Sequence, residues 1–447
     1  MGEFLSQLSR RLKVDELIGN CLDGIEELIV IPHLYLHQIP LAALPVNTLA
    51  TEEGGHGGTA PTNPGLERGL GVEPPQPPLG EGGLKTVEPH LGKGGLKSET
   101  PPLGGGEEPP QPPLAKGGLK SEISALTKEQ KLVLSPPLSK GGPGGVLSDY
   151  FLIRYIPSCR ILEYCSQRPT IESPKYGIVE NATDDLYFTP FECEQIAEIV
   201  TVTERLKGSQ EATVAAYRNL TQNVNVIHSS HHAVSRLDNP LESRLFLGDG
   251  SITLGELMTP GWRLPQLSDV FMSCCETNLG DTEITDNLLS LGTGFLCAGA
   301  RSVVSTLWEV DDFATSLFSI FYYQYRREGL SRPEALWRAQ VRLRTISGAE
   351  LEGLYKSQID ALLPKVIGDL KSQLAVVQKD KKELKKHPNR SIQGTDEFKK
   401  FKEIVKQENK IQDRKKGYES WKTNLYTMSN PFDDLIYWSG FICQGLH

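Results

Sequence analysis

Short apolar runs alternate with longer amphipathic stretches through most of the chain. The apolar runs lie at residues 28–31, 149–156, 176–180, 224–228, 269–273, 302–307 and 435–443. Helix-like periodicity is found between them, at residues 190–206, 288–298, 312–327 and 331–344. Nearly continuous apolar strands that alternate with amphipathic helices are typical of a sheet that is buried on both faces. The pattern predicts an α/β fold with a mostly parallel sheet flanked by helices.

The segment from residue 46 to residue 147 breaks this alternation with repeats rich in proline and glycine. One unit recurs as PPLGEGGLK from Pro77, EPHLGKGGLKSE from Glu88, PPLAKGGLKSE from Pro112 and PPLSKGGPGG from Pro136. These units have too few apolar residues to bury a face against a neighbouring copy, so a solenoid is not expected. The composition predicts a disordered insertion, with a docking segment for a partner protein as the alternative.

A charged, helix-like segment at residues 346–428 forms a second interruption. Apolar residues recur at positions 367, 370, 374 and 377 and again at 398, 401 and 405, a second stripe that can be extended to Trp421, with HPNRSIQG between the two stripes. This spacing predicts an antiparallel helical hairpin. Residues 379–416 contain 14 Lys or Arg and 7 Asp or Glu, which is typical of a solvated helix face. Contact with a partner protein or with nucleic acid is the alternative for this basic stretch.

Charge and cysteine content narrow the function classes. The 447 residues carry 47 basic and 56 acidic side chains, so the net charge of −9 gives no general reason to expect nucleic-acid binding. No apolar run approaches the roughly 18 residues of a membrane span, and no signal-peptide pattern opens the sequence. The eight cysteines show no CxxC spacing, which predicts free thiols and neither disulfides nor a metal site. We therefore expect a cytoplasmic protein with no cofactor and no membrane contact.

Two stretches combine residue types that carry out nucleophilic catalysis. VFMSCCETNLGD places Cys274 and Cys275 at the end of one apolar run, and NVNVIHSSHHAV places His228, His231 and His232 at the end of another. If the two runs form adjacent parallel strands, their carboxyl ends lie side by side. An imidazole there would raise the thiolate fraction of a cysteine. A buried thiol with histidines in a turn is the alternative, because free cysteine often packs as a small hydrophobe.

Zinc binding by these histidines and cysteines is not favoured, because their spacings match no common zinc site.

The motifs together resemble those of the CHAT family, whose members are caspase-like cysteine peptidases related to separase. MSCCETNLGD resembles the family's Ser-Ala-Cys-Glu-Thr-Gly-Leu-Gly loop, and NVNVIHSSHHA resembles its histidine loop. LLSLGTGFLCAGARSVVSTLWEVDD contains segments similar to the family's Ala-Gly-Ala-Arg-Ser-Val and Leu-Trp-x-Val-Asp-Asp. IPHLYLHQIPLAAL and LIYWSGFICQG resemble its first and closing strands. The resemblance implies one caspase-like domain over residues 1–447, with residues 46–147 and 346–428 as insertions.

The resemblance also implies roles for individual residues. The family's cysteine falls on Cys275 and its second loop histidine on His232, whereas Cys274 takes the place of a small packing residue. The oxyanion of the reaction would be held by the backbone N–H groups of Ala233 and Cys275. Ala233 and Asn278 each replace a glycine of the family, and a positive φ at Ala233 would cost about 1 kcal/mol or more.

On this basis the expected function is that of an endopeptidase, which hydrolyses peptide bonds of a protein substrate through a Cys–His dyad. The alternative is a catalytically weak relative that serves as an interaction or regulatory platform, motivated by Ala233, Asn278 and the two insertions. Family members usually carry helical repeats before the peptidase domain. Few residues precede the first strand of this sequence, so a sensor would have to be a separate protein or the hairpin itself.

The resemblance further implies a preference for arginine or lysine before the cut, as in separase and metacaspase relatives. A buried guanidinium has to meet carboxylates that offset its lost hydration. Asp311 and Asp312, at the end of the SVVSTLWE strand, are the first candidates for this role, followed by Glu276 beside the nucleophile and Asp249 in LFLGDG. Capping of the next helix is the alternative role for Asp311 and Asp312.

Overall fold

The computed structural model describes residues 1–22, 24–32, 36, 39–46, 145–236, 238–273, 290–387, 389 and 392–446, and the backbone of residues 277–278. All of them fall within one unit, made of Met1–Leu49 and Leu132–His447. The predicted disorder of the repeats concerns residues 47–144, which lie outside the described residues. At its margins the predicted insertion is ordered, because Pro45–Val46 and Gly145–Val146 pair as an antiparallel ladder that joins its two ends.

The described residues form 14 strands and 13 α-helices. The strands are β1 (Glu27–Val30), β2 (Pro45–Val46), β3 (Gly145–Val146), β4 (Leu152–Tyr155), β5 (Tyr176–Glu180), β6 (Val202–Lys207), β7 (Val226–Ser230), β8 (Ala233–Arg236), β9 (Arg244–Leu247), β10 (Gly250–Thr253), β11 (Asp269–Met272), β12 (Thr277–Asn278), β13 (Ser302–Thr306) and β14 (Phe441–Gly445). The helices are α1 (Gly2–Leu12), α2 (Val14–Cys21), α3 (Cys159–Ser166), α4 (Thr189–Ile199), α5 (Gly208–Glu211), α6 (Val214–Asn223), α7 (Leu254–Leu257), α8 (Leu291–Ala298), α9 (Asp312–Arg327), α10 (Arg332–Thr345), α11 (Gly348–Leu384), α12 (Asp396–Asn424) and α13 (Leu435–Trp438).

A central eight-stranded sheet organises the described part of the chain. Its strand order is β1-β4-β14-β13-β11-β7-β5-β6. Neighbouring strands are parallel throughout, except for the antiparallel pair β13 and β14. The predicted fold class, a mostly parallel α/β sheet flanked by helices, is therefore confirmed.

Successive residues of the central strands enter two different hydrophobic cores. Phe271 of β11 packs in the core that contains α4, α9 and α10. Its neighbours Val270 and Met272 pack in the core that contains α6 and α8. Side chains along a strand alternate between the two faces, so helices on both faces require apolar residues at consecutive positions. This is the physical reason for the continuous apolar runs of the sequence.

The helix signal across residues 190–206 ends earlier than the sequence analysis expected. Helix α4 stops at Ile199, and residues 202–207 form the edge strand β6 in parallel with β5. VTVTERLK is rich in β-branched residues, which favour a strand. Pairing with β5 also satisfies backbone groups that would otherwise be left open at the edge of the sheet.

The charged segment forms two long helices, α11 of 37 residues and α12 of 29 residues. They run antiparallel, because Lys371 meets Glu419 at 3.6 Å whereas Lys381, further along α11, meets Glu408, earlier along α12. The buried residues of α11 include the predicted positions 367, 370 and 377. In α12 the buried residues are Glu408, Ile411, Tyr418 and Trp421. Trp421 is thus buried as predicted, whereas positions 398, 401 and 405 of the predicted stripe are only half-buried. We call α11 and α12 together the hairpin.

A second sheet lies beside the end of β7 and has the order β10-β9-β8-β12. Strand β8 pairs antiparallel with β9 and parallel with β12. It begins directly after the histidine loop, and β12 begins two residues after Cys275. The two stretches with candidate chemistry therefore lead into neighbouring strands. Among the helices that the structure describes, none is both long and apolar enough to cross a membrane.

Candidate active site

The strands that precede the two candidate stretches are parallel neighbours, as the sequence analysis expected. In the register of β7 and β11, Ser229 is opposite Met272, and the backbone N–H of Ser273 donates to Ser229 O at 2.9 Å. The chain segments that follow the two strands therefore leave the same edge of the sheet side by side. Functional groups of α/β proteins commonly gather at this edge.

A cleft of about 500 Å³ opens at this carboxyl edge of the sheet. The loops after β5, β7, β11 and β13 form one wall, and the hairpin forms the other. The first wall includes Asp185, Leu186, Tyr187, His231, His232, Ser273, Glu309, Val310, Asp311, Asp312 and Thr315. The hairpin contributes Leu370, Gln373, Gln407, Lys410, Ile411 and Arg414. Two segments that are far apart in the sequence thus enclose one polar space.

His232 lies on the wall of the cleft and is oriented by a carboxylate. Its Nε2 is 3.0 Å from Oδ1 of Asp185, and its side chain is 25% exposed. Burial alone would raise the pKa of Asp185, but hydrogen bonds from His232 and Thr183 outweigh burial and lower that pKa. Asp185 is therefore a carboxylate at neutral pH, and it fixes the orientation of the imidazole.

The sequence analysis did not identify Asp185. The residue lies in the ENATDDLY stretch that follows the YGIVE run, and an acidic pair after a predicted strand was the one available signal.

The adjacent His231 is buried and has a different role. Its Nε2 is 2.9 Å from Ser229 Oγ, and its Nδ1 is 3.1 Å from the carbonyl oxygen of His232. A carbonyl can only accept, so we assign the proton to Nδ1 and the acceptor role to Nε2. Burial lowers the pKa of His231 to about 4, which makes it neutral at pH 7. The buried ring of His231 therefore stabilises the loop through these two hydrogen bonds, whereas His232 is the partly exposed histidine of the cleft.

His228 is part of a buried polar cluster inside the sheet. Its Nε2 is 3.1 Å from Glu192 Oε1, at an ion-pair distance but without the angles of a hydrogen bond. The other oxygen of Glu192 accepts a hydrogen bond from Ser230 Oγ at 2.8 Å. The ring of His228 also packs edge-on against Tyr323. His228 is thus a core residue in the middle of β7.

Ala233 follows His232 as the first residue of β8, and its backbone is free of the strain considered above. It has no positive φ, unlike Lys13, Asn181 and Asp184 among the described non-glycine residues. Phe246 N donates to His232 O, so Ala233 and Leu245 form a non-hydrogen-bonded pair of the β8–β9 ladder. In such a pair the N–H of Ala233 points away from β9, toward the side where β12 lies.

Cys274, Cys275 and Glu276 lie outside the described residues. The flanking positions are described: Ser273 is buried and lines the cleft, and its hydroxyl has no hydrogen-bond partner among the described residues. On the other side, the backbone of Asn278 is opposite Arg236 in the β8–β12 pair. The candidate nucleophile thus belongs to a segment that starts at the cleft and ends beside β8.

Asp311 and Asp312 both line the cleft, and both make specific internal hydrogen bonds. Asp311 caps α9 by accepting from the backbone N–H of Phe313 at 2.9 Å, and it accepts from the Tyr418 hydroxyl at 2.8 Å. Asp312 accepts from the backbone N–H groups of Tyr187 and Phe188 at 3.2 and 3.0 Å. The capping role that the sequence left open is therefore observed for Asp311.

Burial raises the pKa of both carboxyl groups, and that of Asp312 rises to about 7. Each lies deep in the protein but keeps part of its surface open to the cleft, so water moderates the effect of burial.

Asp249 lies away from these acids, in the turn between β9 and β10. Its Oδ1 accepts from the backbone N–H of Val214 at 2.7 Å, at the start of α6. Asp249 is not among the described residues that line the cleft. Of the four acids expected to bind substrate, Asp311 and Asp312 reach the cleft, Asp249 does not, and Glu276 lies outside the described residues.

Cations from the hairpin reach the acids of the sheet edge. Lys410 Nζ is 2.6 Å from Glu309 Oε2. Burial alone would lower the pKa of Arg414, but the adjacent Tyr418 and Asp311 outweigh burial and raise it. The sequence analysis interpreted this basic stretch as a solvated helix face. Lys410 fits that interpretation apart from its ion pair, because its side chain is 47% exposed. Arg414 differs from it, because it lies beside Tyr418 and Asp311 where the hairpin packs on the sheet.

The described residues contain no group of three or more His, Cys, Asp or Glu side chains arranged to hold a metal ion.

Two solved structures are similar to parts of this chain. A structure of the Saccharomyces cerevisiae separase–securin complex is similar at 18% identity over 44% of this chain and 13% of that chain, with a TM-score of 0.32. The Arg-specific cysteine proteinase gingipain R is similar at 9% identity over 42% of this chain and 50% of that chain, with a TM-score of 0.29. This chain therefore spans half or less of either. Among curated proteins, none matches.

The CHAT domain model matches residues 131–446, which is 316 of the 447 residues. The match includes the histidine loop, the cysteine loop, the cleft acids and the hairpin. The resemblance noted in the sequence motifs is thereby confirmed, and the chain belongs to the CHAT family, with its caspase-like cysteine peptidase fold.

Proposed function

We propose that this protein is a cysteine endopeptidase in which Cys275 is the nucleophile and His232 the general base. One observation carries the proposal: Asp185 orients His232 on a cleft whose wall also includes Ser273, two positions before Cys275. A thiol nucleophile needs a nearby imidazole, and the imidazole benefits from a third group that orients it. The register of β7 and β11 supports the proposal, because the two loops that follow these strands leave the sheet side by side.

The contact with Asp185 assigns different roles to the two imidazole nitrogens of His232. Nε2–H donates to the carboxylate, so Nδ1 takes the proton of the Cys275 thiol as sulfur attacks the peptide carbonyl carbon. Nδ1 then returns that proton to the departing amine, and a thioester remains. His232 next accepts a proton from water while the oxygen of that water attacks the thioester. The acid product leaves, and the thiol is regenerated.

Backbone N–H groups stabilise the oxyanion of both tetrahedral intermediates in this scheme. The N–H of Ala233 points away from β9, toward the β12 side, and its strand conformation is one that alanine adopts without strain. The N–H of Cys275 is the second donor in the proposal. Loss of one oxyanion donor typically lowers the rate by about 100- to 1,000-fold, so the direction of the Ala233 N–H supports an active enzyme.

A preference for a basic residue before the cut remains part of the proposal. Its support is the balance of charge in the cleft, which is lined by four carboxyl groups and two cations. The carboxyl groups are those of Asp185, Glu309, Asp311 and Asp312, and the cations are Lys410 and Arg414. Asp311 already meets Tyr418 and helix N–H groups, so it contributes through its electrostatic field.

The test is labelling by a peptide-directed, thiol-reactive probe, followed by peptide hydrolysis. We expect labelling of the wild type and of Cys274→Ala, and no labelling of Cys275→Ala. His232→Ala should label at the rate of an ordinary exposed thiol. A peptide panel that varies only in the residue before the cut then measures specificity, and a preference for aspartate or for apolar residues would reject the basic preference.

A second candidate function is a catalytically weak interaction platform. The hairpin favours this candidate, because it forms one wall of the cleft. Its Lys410 also forms an ion pair with Glu309 on the opposite wall. Equal probe labelling of the Cys274→Ala and Cys275→Ala variants, with no peptide hydrolysis, would support the platform over the enzyme.

A further inference from the structure

A polar pocket of about 150 Å³ lies at the amino ends of four neighbouring strands. The first residue of each strand lines it: Tyr176 of β5, Val226 of β7, Asp269 of β11 and Ser302 of β13. The cleft with His232 lies beyond the carboxyl ends of the same strands. This second pocket, here called the amino-edge pocket, is therefore at the opposite edge of the sheet and plays no part in the proposed peptidase chemistry.

Three guanidinium groups line the amino-edge pocket, those of Arg301, Arg326 and Arg332. Asp269 is the carboxylate on its wall, and Arg332 engages it through both Nε and Nη2, the second bond at 2.6 Å. Arg332 also donates to Ser268 Oγ at 3.2 Å. The single negative charge of the pocket is thereby matched with one of the three positive charges.

The other two guanidinium groups make hydrogen bonds to neutral oxygens of the described residues. Arg301 Nη1 donates to Thr170 Oγ1 at 3.0 Å and to Pro169 O at 3.3 Å. Arg326 Nη1 donates to the carbonyl oxygen of Leu330. These bonds fix the two side chains without neutralising them. The pocket therefore keeps two positive charges beyond the one that Asp269 offsets.

Two polar groups on the pocket wall lack a hydrogen-bond partner in the described part of the chain. They are Nε of Arg301 and the hydroxyl of Tyr323, which is 2% exposed. An unmade hydrogen bond of a buried polar group costs about 1–3 kcal/mol, so an acceptor that reaches either group would be stabilised. The arginine Nε–H can only donate and the tyrosine hydroxyl can donate. Beside two guanidinium groups whose charge is not offset, the favoured acceptor is an anion.

We propose that the amino-edge pocket binds a small oxyanion of the phosphate class. The planar fork of a guanidinium group matches the oxygens of such an anion, and charged hydrogen bonds are stronger than neutral ones. A cavity of about 150 Å³ holds one small molecule such as a single aromatic ring. The amino-edge pocket therefore has room for one tetrahedral oxyanion.

Calorimetric titration of the full chain with inorganic phosphate tests the proposal, with chloride keeping the ionic strength constant. We expect saturable binding at one site, weakened about tenfold or more in Arg301→Gln and in Tyr323→Phe, each of which removes an unpaired donor. Tyr323→Phe keeps the aromatic ring and removes only the hydroxyl, so weaker phosphate binding by this variant would not result from lost packing. Arg236→Gln is the charge-matched control, because it removes an equal charge from an exposed pair with Asp238, and it should bind phosphate like the wild type.

Sulfate should compete with phosphate, because it has the same shape. Absence of saturable binding to the wild type would mean that the pocket holds only water, and would overturn the proposal. Equal affinity in the wild type and Arg301→Gln would place the anion elsewhere on the surface, with the same consequence. Binding of acetate in preference to phosphate would reject the phosphate class.

Discussion

Asp185 Oδ1 lies 3.0 Å from Nε2 of His232, although 47 positions separate the two residues in the sequence. The contact links the loop after β5 to the loop after β7, which are neighbours in the sheet. A carboxylate at this distance holds the imidazole in one orientation and one tautomer. In the proposed mechanism it would also stabilise the imidazolium that forms when the thiol gives up its proton.

Replacing Asp185 by Asn should therefore lower kcat while KM changes little. We expect a loss of about tenfold or more, because an amide does not stabilise the imidazolium and can offer an N–H in place of an acceptor. Steady-state hydrolysis of a reporter peptide measures this. The matched control is Asp184→Asn, because Asp184 interacts with the backbone N–H of Ser209, and this variant should retain wild-type kcat. Equal kcat values for both variants would remove Asp185 from the proposed site.

Stability should fall as pH rises from about 4 to about 7, and Asp312 should cause part of this fall. Its pKa is raised by burial to about 7 in the folded protein, so the folded state holds a proton that the unfolded chain has released across this range. The linkage relation then gives a negative slope of the free energy of unfolding against pH. Because water in the cleft moderates the effect, we expect on the order of 1–2 kcal/mol.

Urea unfolding of the wild type and Asp312→Asn across this pH range measures the contribution. The variant cannot release a proton at position 312, so its slope against pH should be flatter. A slope identical to that of the wild type would show that Asp312 titrates normally.

The hydroxyl of Tyr418 should contribute measurably to the attachment of the hairpin. It donates to Asp311 Oδ2 at 2.8 Å, and the side chain is 1% exposed. Tyr418→Phe removes this bond and leaves the packing against Phe188 intact, so we expect the free energy of unfolding to fall by about 1–2 kcal/mol. Chemical denaturation provides the measurement. The control Tyr164→Phe affects an exposed residue and should stay within about 0.5 kcal/mol of the wild type.

Two glycines of α11 should respond to alanine in opposite directions. A Cβ at Gly348 would lie 1.9 Å from the carbonyl oxygen of Leu425, where the two ends of the hairpin meet, whereas a Cβ at Gly353 would have nothing within 4 Å. Gly348→Ala should therefore destabilise the protein by about 1–3 kcal/mol. Gly353→Ala should stabilise it by about 0.5–1 kcal/mol, because alanine favours the helix. Thermal unfolding of both variants provides the measurement, and similar shifts in both would contradict the close approach at Gly348.

The sequence by itself determined the fold class, the starts of helices α9 and α10, and the family. Strands buried on both faces need consecutive apolar residues, and helices need a cap at their first turn, so both properties are local and can be read along the chain. The Ser-x-x-Glu box at Ser331 and the cap at Asp311 are observed as local patterns of this kind. The motifs around His232 and Cys275 identified the family for the same reason, because each is a contiguous stretch.

The tertiary structure decided which side chains share a space. Asp185 meets His232 because β5 and β7 are adjacent, and Lys410 meets Glu309 across 101 positions because the hairpin packs on the edge of the sheet. Composition marked Lys410 as part of a solvated basic face, since a charge pattern records how polar a helix is and not what it packs against. Likewise, Arg326 and Arg332 of the amino-edge pocket lie close together around the α9–α10 turn, but Arg301 lies before β13. Only the packing of that turn at the amino ends of the strands brings the three charges together, because energetic coupling between charges depends on distance in space.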